Sequence, residues 1–409
     1  MILIVGTGLA AVRAVEALRE SGSSASIVMV GAERALPYDR PPLSKEFLRG
    51  ETTLDDARIH DESFYREHGV ELVLGAAARH LHVASRSIEL DDGRQLRFQK
   101  LLIATGADAR RLPVRGGTLD GVMTLRTGAD ALRLKMDLAR AGRVVVIGGG
   151  LIGLEVAAVA RAAGKDVTIV ETARQPLARL LHGDVVAGAV ADLHREHGTT
   201  VRTSSTVTEL RGTGHVEQVV LSTGERIAAD LVLVAIGVTP SIEWLIGSDV
   251  RLDDGVLTDA KLETNIDGIY AAGDVARAFQ PALARHVRFE QYGSAHEQGI
   301  VAGRNLAGTA LIPSFVPGAG TEQFGVRMQV IGHAGNADRT VVRGSIERRS
   351  FTAFFLAGDR VRGAFSMNRP RDLAVTRRLV ADGADLDARV LEDESTPLDP
   401  LVERSTLNS

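Results

Sequence analysis

Residues 143–171 read RVVVIGGGLIGLEVAAVARAAGKDVTIVE, and this stretch decides the fold. Val144 to Ile147 form a wholly apolar, β-branched run of the kind a buried parallel strand needs. Gly148, Gly150 and Gly153 follow in the spacing G-x-G-x-x-G, and Leu154 to Ala163 continue with helix-forming residues. The first glycine makes a tight turn, the second lets a pyrophosphate approach the backbone, and the third lets helix and strand pack closely. Amides at the helix start face the phosphates. A second apolar run, Val167 to Val170, ends at Glu171, whose carboxylate suits the two ribose hydroxyls of an adenosine. An ordinary strand–turn–helix unit also carries such glycines. Strand, glycines, helix, strand and acid in register point to a dinucleotide.

The chain opens with a second unit of the same kind. Ile2 to Val5 lead into Gly6, Thr7, Gly8, Leu9, Ala10 and Ala11, then a helical Val12 to Glu20 and a strand Ile27 to Val30 running to Glu33. Ala11 stands at the third glycine position and still permits close packing. Two dinucleotide folds imply two dinucleotides held against each other, a tightly bound flavin and an exchangeable nicotinamide being the natural pair.

The 409 residues suffice for two or three domains. A hydrophobic share of 44% and a net charge of −4 are ordinary for a globular protein and do not suggest a nucleic-acid binder. No apolar run approaches the roughly 18 residues of a membrane span. Met1 runs directly into a core strand, which leaves no room for a signal peptide, so a cytoplasmic protein is expected. The chain has no cysteine. Disulfide reduction, sulfenic-acid chemistry and iron–sulfur ligation by cysteine are therefore excluded. Electrons must leave the flavin for something outside the chain.

Pro37 to Lys45 form a proline-stiffened loop with two cations, Arg40 and Lys45, fit for pyrophosphate or a reduced flavin, or else simply a solvated turn. Residues 70–103 read as short strands with a turn at Asp92-Gly93. Leu101 to Ile103 end at Ala104-Thr105-Gly106, a small-residue turn where backbone can approach a cofactor. Arg126 precedes a helix from Ala129 to Ala141, in reach of a flavin or on the surface. A helix around Val185 to His197 follows. Leu231 to Ile236, closed by Gly237, should return the chain to the first domain. Ile269 to Ala272 form a buried strand, and Gly273 presents Asp274, which by itself would be a helix cap. The helix Ser294 to Leu306 aims its N-terminus at the ring, favouring negative charge there.

From about Ile312 the pattern changes to an antiparallel sheet and a helix from Arg371 to Ala381. Between Arg327 and Arg378 stand eleven arginines, no lysine and four acids, a local balance of +7 against −11 for the remainder. Such a module suits an acidic partner, unless the arginines are scattered over solvated faces. The acidic tail from Asp382 either folds back or frays. His194 and His197 share a helix face at chelating spacing, but no third ligand is apparent, so both are expected in solvent and no metal site is expected.

Taken in order, GTGLAA, PYDRPPLSK, LLIATGA, VVVIGGGLIGLEVAA, AIGVTP and YAAGDVA resemble the FAD-dependent NADH:ferredoxin reductases of bacterial P450 and aromatic-ring dioxygenase systems, a family of the putidaredoxin reductase type that shares its fold with apoptosis-inducing factor. The resemblance implies an α/β architecture with two Rossmann-like dinucleotide-binding domains, the second inserted in the first, plus a C-terminal α+β domain with an antiparallel sheet. Residues 1–108 and 230–311 would bind FAD, 109–229 NAD, and 312–409 would form the last domain. FAD would be held by Gly6, Gly8, Leu9, Ala10, Ala11, Glu33, Arg40, Lys45, Ala78, Thr105, Gly106, Arg126, Asp274 and Tyr292. Gly148, Gly150, Leu151, Ile152, Gly153, Glu171, Arg179 and Gly237 would serve NADH, and the Glu171 carboxylate would repel the 2′-phosphate of NADPH.

Lys45 and Glu155 resemble the family's ion pair beside the hydride-accepting nitrogen, and no general acid or base is needed. The implied partner is a small acidic iron–sulfur ferredoxin, with the chain a monomer or weak homodimer. One departure stands out. Where relatives carry tryptophans in a segment like PWFWSDQY, this chain has Pro317 to Phe324 with Gly320 in place of an aromatic. An NADH oxidase or diaphorase acting on oxygen or small acceptors is therefore a second reading, and an NADH-sensing flavoprotein a third.

Overall fold

The computed structural model describes residues 1–335 and 337–399. Residues 400–409 of the expected C-terminal domain lie outside them. The chain divides into two compact units: Met1–Arg40 with Thr52–Asp108 and Val238–Phe315, and Pro41–Glu51 with Ala109–Gly237 and the chain from Val316 on.

The first unit is built on a parallel sheet in the strand order Ile269–Ala271, Lys100–Ile103, Ile2–Val5, Ile27–Gly31, Val70–Leu74. Every residue of Ile2–Val5 and Ile27–Gly31 is buried, as expected of strands covered on both faces. The Leu9–Glu20 and Tyr292–Leu306 helices cross closely on one face of this sheet. A Cβ on Gly299 would lie 2.4 Å from the Ala10 carbonyl oxygen, and one on Gly303 the same 2.4 Å from that of Ala14. Only glycine allows this approach. The expected hairpin turn at Asp92-Gly93 is present, with Gly93 N–H donating to the Leu90 carbonyl at 3.1 Å.

The second unit repeats the scheme with the order Thr200–Arg202, Asp166–Val170, Arg143–Ile147, Leu231–Val234, Val122–Met123, again all parallel. Here the structure corrects one expectation. The Leu231–Val234 strand does not begin the return to the first sheet; it pairs with Arg143–Ile147 in the register Val144↔Leu231. The return begins at Val238. The physical reason is that Arg143–Ile147 is buried along four of its five residues and needs a strand on both sides, and the fully buried run LVLV supplies the second.

The same unit carries the antiparallel sheet, ordered Gly318–Gln323, Val326–Gly332, Arg360–Met367, Ser350–Ala357, Arg339–Ser345. Its inner face packs on the Pro370–Asp382 helix through Phe354, Leu356, Val375 and Leu379. As far as Asp399 the tail folds back: Leu391 and Leu398 join this core, and the buried Arg343 guanidinium donates to the carbonyls of Leu391, Asp393, Glu394 and Thr396. No helix among the described residues is long and apolar enough to cross a membrane.

Candidate active site

In both parallel sheets the strand that runs into a glycine loop lies in the middle, flanked on its two sides by later strands. A crevice thus forms at the strands' carboxyl ends, where open α/β sheets bind ligands. Each middle strand runs into its glycine loop there. Gly6 adopts φ +122°, and a Cβ on it would sit 2.0 Å from the Ala104 carbonyl oxygen; Gly148 adopts φ +110°, with the Ala235 oxygen at 2.3 Å. A Cβ on Gly153 would lie 2.2 Å from the Gly148 oxygen. At Gly8 and Gly150, by contrast, a Cβ would meet nothing within 4 Å. The two second glycines face open space.

The helices that follow start without side-chain caps, Gly8 and Gly150 being the N-cap residues. The Gly128–Arg140 helix, which serves no nucleotide loop, has a full capping box between Thr127 and Asp130. Uncapped amides over an open glycine are what a pyrophosphate needs. The residues present therefore fit a dinucleotide in each unit.

In the first unit the structure brings Ala104, Gly31 and Gly273 against the Gly6–Gly8 loop and its helix. The Glu33 carboxylate accepts from Tyr38 Oη at 2.5 Å and from Arg40 at 2.9 Å. Gly75 and Ala76 N–H donate to the Glu33 and Gly31 carbonyls, each at 3.0 Å, and this leads the chain to Ala78 at the start of its strand. Thr105 Oγ1 donates to the Ser241 carbonyl at 2.8 Å, and Gly106 turns with φ +70°. Gly273, at φ +81°, sits where a Cβ would lie 3.2 Å from Ala10 Cβ, which brings Asp274 beside the loop helix. Asp274 is near enough to Arg40 to favour its charge. Tyr292 is exposed, and its hydroxyl donates to Asp39 at 3.1 Å; burial first and then Asp39 raise its pKa.

Sequence reasoning missed Gln291 and Gln298 here. Gln298 Oε1 accepts the Gly273 amide at 2.9 Å, and Gln291 Oε1, at the N-cap of the Tyr292–Leu306 helix, is buried without a hydrogen-bond partner among the described residues. A GxxxG spacing at Gly299 and Gly303 was the available signal for this helix crossing.

In the second unit Glu171 turns back on its own loop. One oxygen accepts the Gly149 amide at 2.6 Å and the other the Ala173 amide at 2.7 Å. Leu177 N–H donates to the Gly149 carbonyl at 2.9 Å, so residues 172–177 lie over the loop. Ile152 is exposed at the start of the loop helix. Arg179 points toward Gly237, whose carbonyl accepts from Arg110 N–H at 3.0 Å. Lys45 and Arg126 also belong to this unit. Lys45 Nζ lies 3.2 Å from Glu155 Oε1 and 2.9 Å from the Pro41 carbonyl oxygen, and Glu155 is only 6% exposed. The Ser44 hydroxyl makes a short hydrogen bond to Glu155 Oε2. Ser44 was not foreseen, since nothing marks one serine in a proline-rich loop.

The expectation for His194 is overturned. It is fully buried, and its Nε2–H donates to Gln323 Oε1 at 2.8 Å. Phe324 stacks on His197 at 4.0 Å and meets His194 edge-on at 5.2 Å. Burial lowers the His194 pKa to about 4, against the hydrogen bond to Gln323. The reason is a partner distant in sequence: the Asp184–Glu196 helix packs this face on the Gly318–Gln323 strand. No cluster of three metal-ligating side chains occurs among the described residues.

The family model for pyridine nucleotide-disulphide oxidoreductases matches residues 1–299, and the reductase C-terminal model matches residues 321–402. The chain belongs to the pyridine nucleotide-disulphide oxidoreductase family. It is an oxidoreductase whose nucleotides are FAD and NAD(H), the groups that the two loops fit. Among relatives of this oxidoreductase is the ferredoxin–NAD(+) reductase component of the anthranilate 1,2-dioxygenase system of Burkholderia cepacia, 39% identical over 97% of this chain and 98% of that one. The crystal structure of the ferredoxin reductase for the CYP199A2 system from Rhodopseudomonas palustris superposes with a TM-score of 0.95 at 30% identity, covering 98% of this chain and 99% of that one. The reductase in a covalent putidaredoxin reductase–putidaredoxin complex matches equally well, with a TM-score of 0.95 at 33% identity over 99% of this chain and 98% of that one. The family name refers to disulphides, but this member has no cysteine and so carries no disulphide of its own.

Proposed function

We propose that the chain takes electrons from NADH through FAD to a small acidic iron–sulfur ferredoxin that serves a P450 or a ring-hydroxylating oxygenase. One observation carries this reading: two open, uncapped glycine loops, each followed by a carboxylate, in a chain without any thiol. Hydride enters as NADH, and with no thiol in the chain its electrons leave for an acceptor outside it. The cofactors supply the redox chemistry, and the protein binds, orients and shields them. Glu33 and Glu171 hold the adenosine riboses of FAD and NADH, and Lys45 with Glu155 serves hydride transfer.

The C-terminal arginines support an acidic partner. Arg343 is buried, and Arg339, Arg349 and Arg369 are ion-paired. Arg327, Arg348, Arg360, Arg362, Arg371, Arg377 and Arg378 are exposed, and no ion pair holds them among the described residues. Seven such cations steer an anionic protein and lose effect as salt rises. The reductase works in the cytoplasm as a monomer or weak homodimer, which sedimentation of the FAD-loaded chain tests. A diaphorase side activity is the second reading, because Gly320 is exposed and offers no ring to shield the cofactors. Steady-state turnover with and without ferredoxin separates the two.

A further inference from the structure

Ser44 and Glu155 are 5% and 6% exposed, so both atoms of their short hydrogen bond are withdrawn from water. The Pro41–Ser44 turn, begun by two prolines, fixes the serine. Glu155 stands on the loop helix five residues after Gly150. Its carboxylate has two oxygens with separate duties: Oε2 accepts from Ser44, and Oε1 accepts from Lys45 Nζ at 3.2 Å. The ammonium spends a second proton on the Pro41 carbonyl at 2.9 Å. Lys45 is thus held by one oxygen of Glu155 and by the same turn that carries Ser44.

We infer that Ser44 is a positioning residue for hydride transfer, its hydroxyl orienting the Glu155 carboxylate so that the Lys45 ammonium keeps one defined place. The inference rests on the reading of Lys45 and Glu155 as the pair that serves the transfer. Ser44 keeps its proton throughout and acts through Glu155. Without the hydroxyl, Oε2 is a buried acceptor with no donor, a costly state. The carboxylate then rotates to take the ammonium with both oxygens, drawing Nζ away from Pro41.

The test is anaerobic stopped-flow reduction of the FAD-loaded full chain by NADH, with the midpoint potential of the bound flavin measured alongside. Ser44→Ala lowers the limiting rate about tenfold, a charged hydrogen bond's worth, with the NADH Kd unchanged within about twofold. It also moves the flavin potential in the same direction as Lys45→Met, by less. Ser44→Thr keeps the rate of the parent. Should Ser44→Ala lose FAD, Ser44→Cys replaces it, a near-isosteric weak donor expected to be slowed as well. Parental rate and potential in Ser44→Ala or Ser44→Cys, beside a slowed Lys45→Met, overturn the role of Ser44 alone. Parental behaviour of Lys45→Met removes the pair from hydride transfer, and the role of Ser44 with it.

Discussion

The Glu171 carboxylate accepts the backbone amide of Gly149 at 2.6 Å, which ties the acid at the end of one strand to the glycine loop at the end of its neighbour. The negative charge is therefore fixed beside the loop, where the 2′-phosphate of NADPH would be repelled. Glu171→Gln removes the charge but retains an acceptor for Gly149. We expect kcat/KM for NADH to fall about tenfold and that for NADPH to stay or rise, so that the preference narrows; the two donors assayed side by side read it.

Gly148 and Gly150 have opposite surroundings, and their alanine variants should fail differently. At Gly148 a Cβ meets the Ala235 carbonyl at 2.3 Å on a backbone of φ +110°, so Gly148→Ala destabilises the unit by about 2 kcal/mol or more. At Gly150 nothing lies within 4 Å. Gly150→Ala should melt like the parent yet raise KM for NADH at least about tenfold, by blocking the phosphate's approach. Thermal melts and initial rates on both variants check the pair.

His194 makes the fold sensitive to acid. Its folded pKa is depressed to about 4 from an ordinary 6.5. Between those values the unfolded chain binds a proton that the folded chain refuses, so stability falls as pH is lowered through this window. The loss reaches roughly 3 kcal/mol near pH 4. His194→Gln should flatten Tm between about pH 6.5 and 4; an unchanged slope would show that other groups carry the acid sensitivity.

The parts of the site legible in sequence were the local ones. Gly6, Gly148, Gly153, Glu33 and Glu171 announce themselves because turn, strand and helix adjoin along the chain. Leu231–Val234 was readable as a buried strand but not as a member of the second sheet, because an apolar run does not name its neighbours. The burial of His194 depends on Gln323, far along the chain, and so does the fate of a polar residue on an otherwise amphipathic helix. The Gly318–Gln323 strand went unread because GAGTEQ has little strand propensity; its pairing with Val326–Gly332 supplies what its residues do not. Ser44 acquires its role only when Glu155 folds against it.

Gly320 offers a test of the open site. A Cβ there meets Gln329 Cγ at 3.5 Å, Gln329 Nε2 at 3.7 Å and the Met328 carbonyl oxygen at 3.8 Å, all ordinary contacts, so a side chain can begin there without clash. Gly320→Trp should leave Tm within about 2 °C while lowering oxygen consumption during NADH turnover several-fold. Unchanged oxygen consumption would remove Gly320 as the cause of any leak.

The most direct measurement is NADH-driven cytochrome c reduction by the FAD-loaded chain, with and without an acidic two-iron, two-sulfur ferredoxin, across a range of salt. A rate that climbs steeply with ferredoxin and falls as ionic strength rises is the result expected of a ferredoxin reductase with a basic docking face. A rate indifferent to ferredoxin, with oxygen consumed in its place, would contradict it.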